Sequence, residues 1–67
     1  MNTLFKYSLM DSQLKAEDVR NELYRRKNLG IHTEYLDDVL ADLNIDSYEI
    51  NEYDYSELED LFYSLFR

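Results

Sequence analysis

The stretch of residues 34–60 constrains this chain most, because a fold must keep its dense negative charge at the surface. It contains eleven carboxylates and neither lysine nor arginine, with leucines, isoleucines and tyrosines between the acids. Charged side chains are almost never buried without a partner. The apolar residues between the acids must therefore supply the core, and the carboxylates must form an outer face.

Composition limits the chain to a single small acidic domain over residues 1–67. Its 45% of hydrophobic and 15% of aromatic residues exceed what a disordered acidic tail contains. It has no cysteine, so neither a disulfide nor a thiolate metal site is expected. No apolar run approaches the roughly 18 residues of a membrane span. We expect a cytoplasmic protein, in the host cytoplasm if the source is viral.

Apolar periodicity predicts a mainly α fold, a three-helix domain with helices over about 12–28, 33–44 and 55–66. In each segment, leucines and other apolar residues recur at the spacing that places them on one face of a helix. Gly30 is expected to end the first helix, because glycine adopts the left-handed conformation there at no steric cost. Thr33 is the expected N-cap of the second helix.

Two further segments alternate apolar and polar residues in the manner of strands. Residues 4–9 alternate Phe5, Tyr7 and Leu9 with polar neighbours, although a leading helical turn is also compatible with them. Residues 47–53 alternate similarly. A short two-stranded ribbon pairing these segments is therefore possible, with Asp54 or Ser56 as the cap of the last helix.

No pattern in the chain is typical of catalysis, so we predict that it is not an enzyme and takes no cofactor. There is one histidine, His32, and no cysteine, and no motif surrounds the serines. Residues 42–46 match the opening of a calcium-binding EF-hand loop. However, Ser47 replaces the glycine of the sixth position and Tyr53 replaces the glutamate of the twelfth, so no metal site is predicted.

The turn at residues 25–31, Arg-Arg-Lys-Asn-Leu-Gly-Ile, leads into an acidic amphipathic helix. In this respect it resembles one helical repeat of the RecX recombination regulators. The likeness covers about 30 residues and consists of helix–Gly–Ile–helix spacing, which many unrelated bundles share. It implies no function for this chain.

The charge favours a protein partner over a nucleic acid. The formal net charge is −8, and residues 28–67 carry the eleven acids against Arg67 alone. Such a charge repels nucleic acids and anionic membranes and attracts basic protein surfaces. Carboxylates three or four residues apart on a helix lie about 5–6 Å from one another, comparable to the spacing of phosphates along a nucleic-acid strand.

The leading interpretation is a small non-enzymatic inhibitor, a nucleic-acid mimic that occupies the basic surface of a nucleic-acid-binding partner. Phage and plasmid proteins that block restriction or CRISPR nucleases resemble it in size and charge. Carboxylates would replace phosphates, and tyrosines would anchor the contact because they bury a rigid ring and keep a hydroxyl. The candidate residues are Glu34, Tyr35, Asp37, Asp38, Asp42, Tyr48, Glu49, Glu52, Tyr53, Asp54 and Tyr55.

The alternative is a regulatory interaction module, such as an antitoxin or a kinase or polymerase regulator. It would dock through an apolar helix face that includes Phe62 or Phe66, and the acids would only solubilise and steer. A homodimer is compatible with either interpretation. The acidic faces have a less favoured interpretation as solvated surface, with charge partly neutralised by Arg20, Arg26 and Lys27 within the molecule. Exposed ion pairs contribute only about 0–1 kcal/mol each, so they do not explain the excess of negative charge.

Overall fold

The computed structural model describes the backbone of residues 3–67 and the side chains of residues 11–67. The chain forms three α-helices, α1 (Thr3–Leu29), α2 (Leu36–Asp42) and α3 (Glu52–Phe66), and a 3₁₀ turn, η1 (Ser47–Glu49), precedes α3. The predicted mainly α, three-helix fold is confirmed. The molecule measures 45 × 18 × 16 Å, and at 1.5 Å per residue α1 accounts for most of the long dimension.

The predicted β ribbon is wrong. Residues 4–9 belong to α1, residues 47–53 contain η1 and the start of α3, and no strand occurs within residues 3–67. No glycine or proline interrupts the chain before Gly30. Extending an existing helix adds a hydrogen bond per residue without a new nucleation cost. A short alternating pattern next to a stable helix therefore continues as helix.

The C-terminal ends of α1 and α2 close with the same backbone motif. Gly30 has φ of 74° and follows α1, as predicted, and the N–H of Ile31 donates to the carbonyl of Arg26 at 2.9 Å. Asn44, with φ of 59°, follows α2 in the same way, and the N–H of Ile45 donates to the carbonyl of Leu40 at 2.9 Å. This is the Schellman arrangement. The segment that resembled an EF-hand opening is thus a helix ending.

Two predicted caps are wrong. Thr33 is buried, and α2 begins after Tyr35, which makes no side-chain capping bond. The cap of α3 is Asn51 rather than Asp54 or Ser56, since its Oδ1 accepts from the backbone N–H of Asp54 at 2.9 Å. Because Asn51 lies three residues before Asp54, α3 begins about one turn earlier than predicted, and residues 52–55 are part of the helix.

The core lies where the three helices meet. It contains Ala16, Val19 and Leu23, which form an apolar stripe on α1, together with the apolar face of α2, the residues Ile45 and Ile50 on either side of η1, and residues of α3. Val19, Leu23 and Leu58 are fully buried. Ser12 lies inside α1, and its hydroxyl accepts a hydrogen bond from the backbone N–H of Asn51 at 3.2 Å. This bond fixes the start of α3 against α1.

Candidate acidic–tyrosine surface

The acids divide into those that pair with cations of α1 and those that form no ion pair among the described side chains. Glu22 binds Arg25 at 3.0 Å and Arg26 at 2.7 Å, and Arg26 also reaches Asp42 of α2 at 2.6 Å. Hydrogen bonds from the two guanidinium groups hold the pKa of Glu22 below its ordinary value, and the bond from Arg25 has the larger effect. Asp42, one of the candidate phosphate surrogates, is thus partly neutralised.

Glu49 is also held within the molecule. Its carboxylate pairs with Lys15 of α1 and accepts from the backbone N–H of Asp46 at 2.8 Å. Both contacts lower the pKa of Glu49, and the hydrogen bond from the Lys15 ammonium has a larger effect than that from the Asp46 N–H. Asp11 pairs with the same lysine at 2.9 Å. Of the candidate carboxylates, Asp42 and Glu49 therefore support the fold through ion pairs with α1.

The remaining candidate acids keep their charge uncompensated. Among the described side chains, no lysine or arginine nitrogen lies within 4 Å of their carboxylates. These acids are Glu34, Asp37, Asp38, Glu52 and Asp54. Asp37 accepts a hydrogen bond from the hydroxyl of Tyr55, and Asp54 accepts one from the side-chain amide of Asn51. Neither bond removes negative charge, so the carboxylates remain anionic acceptors.

Six of the candidate residues line two neighbouring depressions, which we call the α2–α3 groove and the η1 groove. Glu34, Tyr35 and Asp37 lie in the first, Tyr48 and Glu52 lie in the second, and Tyr55 lines both. The fold therefore brings together residues up to 21 positions apart, from Glu34 to Tyr55. We call this continuous area the acidic–tyrosine surface.

Two residues of this surface were not predicted from the sequence. Glu59 lines both grooves, and Tyr63 lines the α2–α3 groove. Tyr55, Glu59 and Tyr63 follow one another at intervals of four on α3, which places them on one helix face. That spacing was present in the sequence. The helix predicted over residues 55–66 contains all three positions, so this spacing could have identified Glu59 and Tyr63.

The candidate tyrosines differ in burial, and the hydroxyls of Tyr48, Tyr53 and Tyr55 have a raised pKa. Tyr48, Tyr53 and Tyr35 are exposed at 84%, 73% and 60%, whereas Tyr55 is half-buried. Burial, and next the hydrogen bond to Asp37, raises the pKa of the Tyr55 hydroxyl. The carboxylates of Asp46 and Glu57 raise the pKa of Tyr48 and Tyr53 respectively. All three hydroxyls therefore stay protonated at neutral pH and can donate hydrogen bonds.

The chain matches no protein-family model, and no curated protein or solved structure is significantly similar to it. The likeness to the RecX repeat thus remains one of spacing. Within the described residues, every helix is too short or too polar to traverse a lipid bilayer. No three histidine, aspartate or glutamate side chains in that part of the chain converge as metal ligands would.

Proposed function

We propose that this chain is a non-enzymatic inhibitor that binds the basic, nucleic-acid-binding surface of a partner protein through its acidic–tyrosine surface. One observation carries the proposal. The cations of α1 pair with Glu22, Asp42 and Glu49, none of which lines either groove, whereas the carboxylates that line the two grooves have no such partner within 4 Å among the described side chains. An uncompensated field of this kind attracts and orients a positively charged surface.

Retaining this charge opposes folding, which makes simple solubility a weaker explanation. A domain of this size buries only about 60% of its unfolded surface and has little stability in reserve. Repulsion among like charges lowers that stability further. The exposed tyrosines add a second feature that solubility does not require, because tyrosine is enriched at the centres of protein interfaces.

The competing proposal, docking through an apolar helix face, gains no specific support. Phe62 is buried in the core, and Phe66 is half-buried against it. The large apolar residues exposed on α1 include Leu14 and Tyr24, which are ten positions apart. At about 100° per residue they lie about 80° apart around the helix. The exposed polar residues Glu17 and Asn21 lie between them on the helix surface, so no continuous apolar stripe joins them in the described part of α1, and the alternative remains a prediction from the sequence.

The proposal is tested with a charge-matched pair of variants. Glu52→Gln/Glu59→Gln removes two carboxylates from the acidic–tyrosine surface. Glu17→Gln/Asp18→Asn removes two exposed, unpaired carboxylates from α1, so both variants have the same net charge. The tagged proteins are used to capture partners from a cell lysate with and without excess duplex DNA, and captured proteins are quantified by mass spectrometry.

Nucleic-acid-binding proteins should be captured by the wild type and by the α1 variant, and much less by the groove variant. Duplex DNA should compete, and capture should fall steeply between about 50 and 200 mM salt, as phosphate contacts do. If both variants lose capture equally, net charge rather than this surface drives binding. If captured partners respond neither to salt nor to DNA, the proposal is wrong.

A further inference from the structure

The α2–α3 groove already holds one guanidinium group, which belongs to the chain itself. Cζ of Arg67 lies 5.4 Å from the centre of the Tyr63 ring, within the distance of about 6 Å at which a cation and an aromatic face attract. No described carboxylate lies within 4 Å of the guanidinium. The ring, rather than an ion pair, therefore accounts for the contact.

The walls of this groove combine aromatic rings with uncompensated acids. Tyr63 and Tyr55 line it together with Glu34, Asp37 and Glu59. Arg67 contacts one ring and leaves the carboxylates available. The groove encloses about 230 Å³, below the range of about 300–1,000 Å³ that is typical of small-molecule sites. Its size suits one side chain of a protein partner.

This combination favours arginine over lysine. A guanidinium is planar, stacks on aromatic faces, carries five N–H donors and is weakly hydrated, whereas an ammonium is compact and strongly hydrated. A site that offers a ring face beside several carboxylates satisfies both properties of arginine. A purely electrostatic surface would bind both cations about equally, because their charges are the same.

Resting on the proposed function, we propose that the α2–α3 groove binds an arginine side chain of the basic partner in preference to lysine, with Arg67 as an internal competitor for the ring of Tyr63. The partner's guanidinium displaces that of Arg67 and reaches the carboxylates beside it. A groove that is partly occupied from within binds its ligand more weakly, in proportion to the fraction that is open.

The test uses two synthetic peptides of equal length and charge, one with arginine and one with lysine at every basic position. Binding to the full chain is measured by fluorescence anisotropy at about 50 mM salt. The arginine peptide should bind about 2- to 5-fold more tightly, because an ammonium also attracts the ring but cannot stack on it and is more strongly hydrated. Tyr63→Leu should abolish this preference, and Tyr63→Phe, which keeps the ring, should retain it.

Arg67→Gln should strengthen binding of the arginine peptide more than Lys27→Gln does. Lys27 is an exposed cation outside the α2–α3 groove, so its replacement changes the net charge equally. Circular dichroism checks that each variant is folded. If the two peptides bind equally and Tyr63→Leu changes nothing, the arginine inference is wrong and the proposed function stands. If neither peptide binds detectably, the proposed function fails as well.

Discussion

The region where α1 packs against its neighbours and the acidic–tyrosine surface both contain acids, but they use them differently. In the first region, Glu22 of α1 and Glu49 of η1 are held by cations of α1. On the acidic–tyrosine surface, Glu52 and Glu59 line grooves, and no described cation of α1 lies within 4 Å of their carboxylates. The same residue type thus contributes to stability in one region and remains available for binding in the other.

The difference shows that net charge alone is a poor guide to a binding surface. Asp42 belongs to the acidic stretch, but Arg26 reaches it from α1. Glu59 was not among the candidates, although it lines both grooves. What distinguishes an available carboxylate is whether a cation from another element reaches it, and this depends on packing.

The largest effect is expected from the core on which both regions depend. Leu58 of α3 is fully buried, so Leu58→Ala should destabilise the fold by about 2–5 kcal/mol through lost burial and the cavity left behind. Urea denaturation followed by circular dichroism measures this loss. Leu14→Ala, at a residue that is 55% exposed on α1, is the control and should cost far less. Comparable losses would mean that Leu58 is not at the centre of the core.

Removing one acid from each region should change stability in opposite directions. The side chains of Glu22 and Arg26 are 13% and 12% exposed, so their pairing lies between a surface bridge and a buried one. Glu22→Gln should destabilise by about 1–2 kcal/mol. Asp60→Asn, at an exposed acid of α3, should be neutral or slightly stabilising because it relieves repulsion. Urea midpoints compare the two, and equal losses would contradict the division.

Thr33 lies between α1 and α2, where the chain passes from one region to the other. It is 4% exposed, and its Oγ1 has no hydrogen-bond partner among the described protein atoms. A buried unpaired hydroxyl is costly, and valine has nearly the same shape. Thr33→Val should therefore stabilise the fold by about 1 kcal/mol in urea denaturation, with Thr33→Ser as the variant that keeps the hydroxyl. A loss of stability in the valine variant would show that the hydroxyl is hydrogen-bonded.

The two regions should also respond differently to acid. The folded-state pKa values of Glu22 and Glu49 lie below the ordinary value of 4.5. Their contribution is therefore fully present above that value, and it is lost as the pH falls below it toward the folded-state pKa. When the pH is lowered from 5 to 3, the free energy of unfolding should fall less in the double variant Glu22→Gln/Glu49→Gln than in the wild type. Urea unfolding at each pH measures this. An unchanged pH dependence would contradict this assignment.

The prediction of the fold succeeded where local signals were strong. The apolar stripe at positions 16, 19 and 23 of α1 is buried, and Gly30 ends the helix, because a 3.6-residue period and a positive φ are encoded locally. The strand over 47–53 failed because alternation over a few residues is weak. That segment instead forms a 3₁₀ turn followed by the Asn51 cap. Its conformation is stabilised by contacts with α1, between Asn51 and Ser12 and between Glu49 and Lys15.

The sequence by itself determined that this chain is helical, strongly acidic and rich in aromatic residues, because period and composition belong to the chain. Only the tertiary structure decided which acids are neutralised and which are available. Ion pairs such as Lys15 with Glu49 and Arg26 with Asp42 join residues 34 and 16 positions apart. Their formation depends on how α1 packs against its neighbours, and no local pattern contains that information.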